Sequence, residues 1–360
     1  MSNTGQLFSV KLHNILQQLV KRHFPFNLLS AERMQEVVNL IRFIEMKDGE
    51  IFQLRGSHCQ DYLFLAEGSC EMICSGSITS INELMKLGRQ PVLLPAGPET
   101  ATLIARESTI LCHINRELLD YLMAWDETSR VADHLDPVAA KRLKSVRNAL
   151  VFQKLSLECL IPAFSSMQEY TVNQGDIITH YNQDIDAYYL ILEGQAEVST
   201  PLFDTATLTP VATLSSGDVF GEEAIIEQTT HRETVTITSE TARLLVLTQQ
   251  AYHNLTNRQY IRTVKPRIAQ TMAENGFTFI DVRFSEEYAQ GHIPDSINLP
   301  LHTLQEADLP LDQSKRYISY CHSGGRGAIA TTLLKNKGYD ILNLTDGIQD
   351  WPFELTTKPA

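Results

Sequence analysis

One cysteine of the chain, Cys321, lies where a nucleophilic thiol can form. It ends the segment RYISYC (316–321), which has the composition of a buried strand, and three of the six residues that follow, HSGGRG (322–327), are glycines. A thiol between the carboxyl end of a strand and the amino end of a helix faces unpaired N–H groups and the positive end of the helix dipole, and both favour the thiolate. Glycines let successive N–H groups converge on one anion. These residues therefore predict an activated cysteine whose charge is stabilised by the backbone.

Polar residues near the thiol have predicted supporting roles. Arg326 adds a permanent positive charge that can bind an anionic substrate. We expect His322 to be a loop side chain rather than a base, because the backbone already activates the thiol. Asp281 and Arg283 follow the neighbouring apolar strand, and we expect an ion pair between them that braces the active loop. The remaining loop residues are expected to supply backbone N–H groups: Ser323, Gly324, Gly325 and Gly327.

The elements that must position this site alternate between strand and helix over residues 263–360. FTFID (277–281), RYISYC (316–321) and DILNLTDG (340–347) have the composition of short strands. GAIATTLLKNKG (327–338) has that of a helix, with Gly338 as its stop signal. This alternation predicts a small α/β domain with a parallel sheet.

Three segments of this domain, taken together, resemble the rhodanese family of sulfurtransferases. They are DVRFSEEYAQGHIPDSINLP (281–300), CHSGGRG (321–327) and LNLTDGIQDW (342–351). The resemblance implies that Cys321 carries sulfur as a persulfide and that Arg326 binds an anionic donor such as thiosulfate. Four residues separate Cys321 from Arg326, the loop length of sulfurtransferases rather than of the related phosphatases. Gly327 departs from the family, where serine or alanine is common.

The first two thirds of the chain contain an internal repeat. DGEIFQLRG and DYLFLAEGSCEMI (48–73) recur as QGDIITHYN and AYYLILEGQAEVS (174–199), offset by 126 residues without a gap. Each copy has alternating strands separated by glycine turns, which predicts an antiparallel β roll. Flanking helices are expected at 29–41 and 156–167, and a charged helical connector, its Lys and Arg forming a solvated face, at 126–152. The predicted domains are 1–125, 126–262 and 263–360.

The two rolls resemble the cyclic-nucleotide-binding domains of catabolite activator proteins and of cAMP-dependent kinase regulatory subunits. The second copy contains the phosphate cassette, SSGDVFGEEAIIEQTTHRETVTI (215–237). The resemblance implies cAMP or cGMP as a ligand, held by residues of this cassette: Gly221, Glu222, Glu223, Ala224, Arg232 and Thr234. However, His231 occupies the position of the family's arginine, Arg232 is displaced by one residue, and Glu233 fills a slot for a small residue. The first copy lacks the Gly-Glu pair and the arginine, so scaffold rolls are the simpler expectation.

Composition and charge exclude several function classes. A net charge of −13 disfavours sequence-independent nucleic-acid binding, and no helix-turn-helix fits between the second roll and the next strand. No apolar run approaches the length of a membrane span, and the amino terminus is too polar for a secretory signal, so a cytoplasmic protein is expected. The other five cysteines are expected to be buried small hydrophobes, and no metal site is predicted.

Two hypotheses about function follow from the sequence. In the first, the chain is a mixed multidomain protein with two β rolls and a rhodanese domain. It moves sulfur from a small donor to a thiol, cyanide or protein acceptor, needs no cofactor, and is open to regulation by a ligand of the amino-terminal rolls. In the second, the protein is a non-catalytic signalling or scaffold protein that binds a cyclic nucleotide or a protein partner. The connector helix would allow a homodimer, although its spacing does not require one.

Overall fold

A computed structural model describes residue 24 and residues 26–54, 61–74, 77–80, 101–152, 157–184, 187–201, 207–221, 230–256, 262–306 and 308–357. The chain divides into two compact units. The first comprises Met1–Met123, Arg283–Pro300 and Pro352–Ala360. The second comprises Ala124–Val282 and Leu301–Trp351, and it contains the second roll together with Cys321.

The first unit contains an antiparallel roll built from two sheets. Its strands are β1 Arg42–Met46, β2 Ile51–Leu54, β3 Asp61–Glu67, β4 Cys70–Cys74, β5 Ser77–Ser80, β6 Ala101–Ala105 and β7 Thr109–Asn115. They pair in the orders β1-β7-β3 and β2-β6-β4-β5. Helix α1 (Ala31–Leu40) precedes the roll and begins at Ser30, whose side chain accepts a hydrogen bond from the Arg33 N–H. The helix predicted at 29–41 is therefore confirmed.

Helix α2 (Arg116–Leu135) runs from the first unit into the second, and a second roll follows it. Helices α3 (Pro137–Ser145), α4 (Leu157–Ser166) and α5 (Gln249–Thr256) flank this roll. Its strands are β8 Gln168–Asn173, β9 Ile177–Thr179, β10 Ala187–Glu193, β11 Gln195–Pro201, β12 Leu208–Ser215, β13 Val219–Phe220, β14 Thr234–Ile237 and β15 Thr241–Thr248. They form the antiparallel sheets β13-β10-β15-β8 and β12-β11-β14-β9.

The repeat in the sequence is also present in the strand register. In the first roll the pairing of β3 with β7 shifts between Leu65 and Glu67. In the second roll the pairing of β10 with β15 shifts between Ile191 and Glu193, the same two positions offset by 126 residues. An irregularity of this kind bends the strand, so its recurrence supports a duplicated unit.

The carboxy-terminal elements of the second unit form a parallel sheet. The order is β16 (Thr263–Val264), β20 (Asp340–Leu344), β19 (Arg316–Tyr320) and β17 (Phe277–Asp281). Helices α6 (Pro266–Glu274) and α8 (Gly325–Asn336) connect them, and short 3-10 helices cover Leu301–Gln305 and Gly347–Asp350. The first unit contains α7 (Ser285–Gln290) and β18 (Ile297–Asn298). The predicted fold class, two rolls followed by an α/β domain, is confirmed.

Candidate active site

The thiol of Cys321 faces the glycine loop. Cys321 is the first residue after β19, and its Sγ accepts a hydrogen bond from the Gly324 N–H at 3.1 Å. The residue is completely buried, with 0% of its surface exposed. Helix α8 begins at Gly325, at the end of the same loop, so the positive end of the helix dipole is next to the sulfur. This arrangement can stabilise a negative charge on Sγ.

Backbone hydrogen bonds fix the start of the loop. The carbonyl oxygen of Cys321 accepts from the Ile348 N–H at 2.9 Å, and that of His322 accepts from the Gln349 N–H at 3.2 Å. At the other end of the loop, Gly324 is the N-cap of α8 and has a φ of 92°, in the left-handed region that favours glycine. The loop therefore has its shape set at both ends.

Gly347 lets the segment after β20 approach this loop closely. Its φ is 65°, and a Cβ added there would lie 2.4 Å from the carbonyl oxygen of His322 and 2.5 Å from that of Cys321. No real Cβ tolerates such distances. Only glycine at this position allows the two hydrogen bonds that fix the loop.

Side chains of the loop differ in exposure. Ser323 is exposed, whereas His322 is buried, and its expected role as a loop side chain rather than a base stays a prediction. The guanidinium of Arg326 lies in the first turn of α8 and is fully buried. Its Nη1 is 3.8 Å from Oε2 of Glu127, a carboxylate of α2 that is itself almost completely buried. The cation predicted for donor binding therefore already faces an anion of the chain.

Asp281 and Arg283 both lie near the end of β17. Asp281 is completely buried and is opposite Tyr320 in the parallel pair β17 and β19. Arg283 is buried, and its Nη2 donates to the carbonyl oxygen of Gly291 at 2.7 Å. Arg283 thus braces the turn after α7, while the ion pair expected between Asp281 and Arg283 stays a prediction.

Two of the residues predicted to hold a nucleotide, Gly221 and Arg232, line a cleft of about 120 Å³ in the second roll. A Cβ added to Gly221 would lie 2.7 Å from the carbonyl oxygen of Ala187, so the glycine makes room for that oxygen. His231, which is buried, and Arg232, which is exposed, both line the cleft as well. Thr234 is buried, and its Oγ1 accepts from the Tyr181 N–H at 3.0 Å. The other three predicted residues, Glu222, Glu223 and Ala224, lie outside the described residues.

Three other predictions concern the described part of the chain. Cys70, Cys112 and Cys159 are buried thiols that form no disulfide, as expected, while Cys59 and the side chain of Cys74 lie outside the described residues. The described residues contain no group of three or more side chains able to hold a metal. No helix in the same ranges is both long and apolar enough to cross a membrane.

Comparison with known proteins agrees with the geometry around the thiol. Residues 265–353 match the model of the rhodanese-like domain. The putative sulfurtransferase YtwF of Bacillus subtilis is 33% identical over 87 residues, which cover 24% of this chain and 82% of that protein. The chain belongs to the rhodanese-like family. The thiosulfate sulfurtransferase GlpE of Pseudomonas savastanoi is 28% identical over 25% of this chain and 86% of its own length. The chain spans 43% of another relative, the putative sulfur carrier protein YrkF of Bacillus subtilis.

The region before the rhodanese domain also has known relatives. Residues 170–259 match the model of the cyclic nucleotide-binding domain. The cAMP-dependent protein kinase regulatory subunit of Dictyostelium discoideum is 23% identical over 69% of this chain and 75% of its own length. Among solved structures, the regulatory domain of Toxoplasma gondii PKA with cAMP matches 76% of this chain and 98% of that chain, at 15% identity and a TM-score of 0.30.

Sequence reasoning missed polar residues that support the rhodanese loop from behind. Asn343 in β20 donates from Nδ2 to the Gly324 carbonyl at 3.3 Å, and a Cβ on Gly327 would lie 2.3 Å from its Oδ1, which explains the glycine at 327. The Oγ of Ser319 lies 2.7 Å from Oγ1 of Thr331 and joins β19 to α8. A polar residue inside each of two otherwise apolar strands was the available signal. No such signal pointed to Glu127, because it lies among other acidic residues in the connector that was predicted to be a solvated helix.

Proposed function

We propose that this protein transfers sulfane sulfur through a persulfide on Cys321. The observation that carries the proposal is the hydrogen bond from the Gly324 N–H to Sγ at the amino terminus of α8. A backbone arrangement that stabilises a thiolate suits the terminal sulfur of a persulfide too, because both are sulfur anions. The rhodanese domain and the relatives named as sulfurtransferases support the same conclusion.

The reaction has two halves and uses covalent catalysis. The Cys321 thiolate attacks the outer sulfur of a donor such as thiosulfate. A bond from Sγ to that sulfur forms, the donor's S–S bond breaks, and its electron pair leaves with sulfite. An acceptor, either a thiol or cyanide, then attacks the outer sulfur of the persulfide, and the electron pair of the broken bond returns to Sγ. With cyanide the product is thiocyanate, and the thiolate is regenerated.

Thiocyanate formation from thiosulfate and cyanide tests this proposal. We expect activity in the wild type and background rates in Cys321→Ser, because a hydroxyl cannot carry the sulfur. Cys159→Ser, a change at a buried cysteine of α4, is the matched control and should stay active. Incubation with thiosulfate alone should add one sulfur atom to the peptide that contains Cys321. Equal rates in the wild type and in Cys321→Ser would refute the assignment.

We propose ligand binding as a second function, carried by the cleft of the second roll. The family match suggests a cyclic nucleotide, cAMP or cGMP, as the ligand class. Because Arg232 is exposed and His231 occupies the arginine position, the phosphate receives a weaker positive field than an inward arginine would give. Calorimetric titration of the full chain should therefore show weak binding that His231→Arg strengthens. Micromolar binding to the wild type, unchanged by His231→Arg, would contradict this account of the cleft.

The organisation of the chain follows from these assignments. We propose domain limits at 1–125, 126–262 and 263–360, since the two matched ranges lie inside the second and third domains. A cytoplasmic location suits the four described cysteines that form no disulfide, because thiols persist in a reducing compartment. The rolls, as relatives of a kinase regulatory subunit, are the region we propose for a protein partner or a second copy of the chain.

A further inference from the structure

Glu127 occupies an unusual place for a carboxylate. It lies on α2, where Asp126, Glu127, Thr128 and Ser129 are all buried in succession. Only 2% of the Glu127 side chain is exposed. Acidic residues are rarely buried unless a positive group compensates for the lost hydration. The surroundings of Glu127 therefore indicate what its charge does.

Two positively chargeable groups of the rhodanese domain lie near this carboxylate. Oε2 of Glu127 is 3.8 Å from Nη1 of Arg326, and Oε1 is 3.9 Å from Nδ1 of His302. A second side chain from outside the rhodanese domain also reaches the loop, since Cδ1 of Leu157 in α4 lies 2.5 Å from where a Cβ of Gly325 would be. Helices α2 and α4 thus both contact the first turn of α8, beside the thiol.

This geometry changes which sulfur donors suit the site. Thiosulfate is a doubly charged anion, and its binding would depend on the positive field of Arg326. Glu127 cancels much of that field at short range and in a buried setting, where charges interact more strongly than in water. A donor whose own charges cancel loses much less binding affinity when the field of Arg326 is weakened. The ammonium of cysteamine persulfide, for example, balances the charge of the persulfide anion and, when the protonated form RSSH reacts, the charge of the departing thiolate.

We propose that Glu127 is a specificity-determining residue that lowers the use of anionic donors by this sulfurtransferase. The inference rests on the proposed sulfur transfer and names the donor class, persulfides without excess negative charge. In that step the Cys321 thiolate attacks the outer sulfur of the persulfide RSSH, and a bond from Sγ to that sulfur forms. The donor's S–S bond breaks, and the thiolate RS⁻ leaves with the electron pair.

The test compares the kcat/KM for thiosulfate with the kcat/KM for cysteamine persulfide, with cyanide as the common acceptor. We expect Glu127→Gln to raise this ratio at least about tenfold, since the repulsion between this unit charge and a doubly charged donor bound beyond Arg326, about 8 Å away, corresponds to about a five- to a thousandfold change in affinity. Breaking a buried ion pair also destabilises a protein, but the folded fraction cancels when both donors are measured on one preparation. Asp133→Asn removes an exposed charge from the same helix and should leave the ratio unchanged.

Glu127→Asp separates charge from packing, because it keeps the carboxylate and shortens the side chain. We expect its ratio to stay within about threefold of the wild type. A ratio that rises equally in Glu127→Asp and Glu127→Gln, or that does not rise in Glu127→Gln, would overturn the inference while sulfur transfer itself stands. If neither donor leaves sulfur on Cys321 in any variant, the proposed function fails instead.

Discussion

Replacing Gly347 by alanine tests whether the active loop depends on a close backbone contact. The added methyl would lie 2.4 Å from the His322 carbonyl oxygen, at a backbone φ of 65°. A left-handed conformation costs an alanine about 1–2 kcal/mol, and overpacking costs about 1–3 kcal/mol more. We therefore expect Gly347→Ala to lower the free energy of unfolding of the rhodanese domain by about 2–5 kcal/mol. The loop should also move, so the rate of the proposed sulfur transfer through Cys321 should fall.

Gly276→Ala is the matched control for this experiment. Gly276 also has a positive φ, 93°, but no atom lies within 4 Å of an added Cβ. In this variant the free energy of unfolding should fall only by the cost of the left-handed conformation, about 1–2 kcal/mol, and the activity should be retained. Hydrogen exchange of the amides in β19, measured in urea, reports the stability of this domain separately from the rolls. If Gly347→Ala loses no more stability than Gly276→Ala, the carbonyl contacts do not constrain the loop and our explanation is wrong.

Two further predictions concern ionisable groups with shifted pKa values. Burial raises the pKa of the Cys70 thiol to about 11 and also raises the pKa of the Cys112 thiol. Neither thiol should therefore react with iodoacetamide at pH 7 in the folded protein, and peptide mass spectrometry measures this. Rapid alkylation of either cysteine would contradict its buried placement. Asp136 caps α3, and the hydrogen bond from the Ala139 N–H lowers the pKa of the Asp136 carboxyl. The stabilisation by this cap is therefore fully present above the pKa of the unfolded state, and it is lost as the pH falls through the pKa of the folded state. Asp136→Ala should lower the free energy of unfolding, measured with urea, by about 1 kcal/mol at pH 7 and by less below pH 4. The same difference from the wild type at both pH values would argue against a charged cap.

The sequence was sufficient for the local features of the fold and of the loop. Glycine spacing and strand composition predicted both rolls, and an apolar run that ends in Cys321 predicted a thiol at the end of a strand. These features depend on short-range backbone chemistry, which neighbouring residues determine. Helix α8 begins at Gly325, two residues earlier than predicted. The prediction began the helix later because glycines have a low helix propensity. In the structure Gly324 is the N-cap, so Gly325 is already the first helical residue.

Contacts between distant segments were not predictable in the same way. Glu127 and Arg326 lie about two hundred residues apart, and the charge pattern of 126–152 indicated only a solvated helix. Its exposed Lys141 and Lys144 fit that prediction, while the buried acids at its start do not. The roles of Asn343 and Gly327 depend in the same manner on how β20 and α8 meet, which no single segment encodes.

The complete burial of Cys321 has a consequence for the persulfide that we propose on this residue. Sulfur anions in open solution are readily oxidised, and the higher oxidation states of cysteine are irreversible. A thiol with no exposed surface is shielded from dissolved oxidants between turnovers. The same shielding requires that the protein open each time a donor or an acceptor reaches the sulfur, so the frequency of that opening sets an upper limit on turnover.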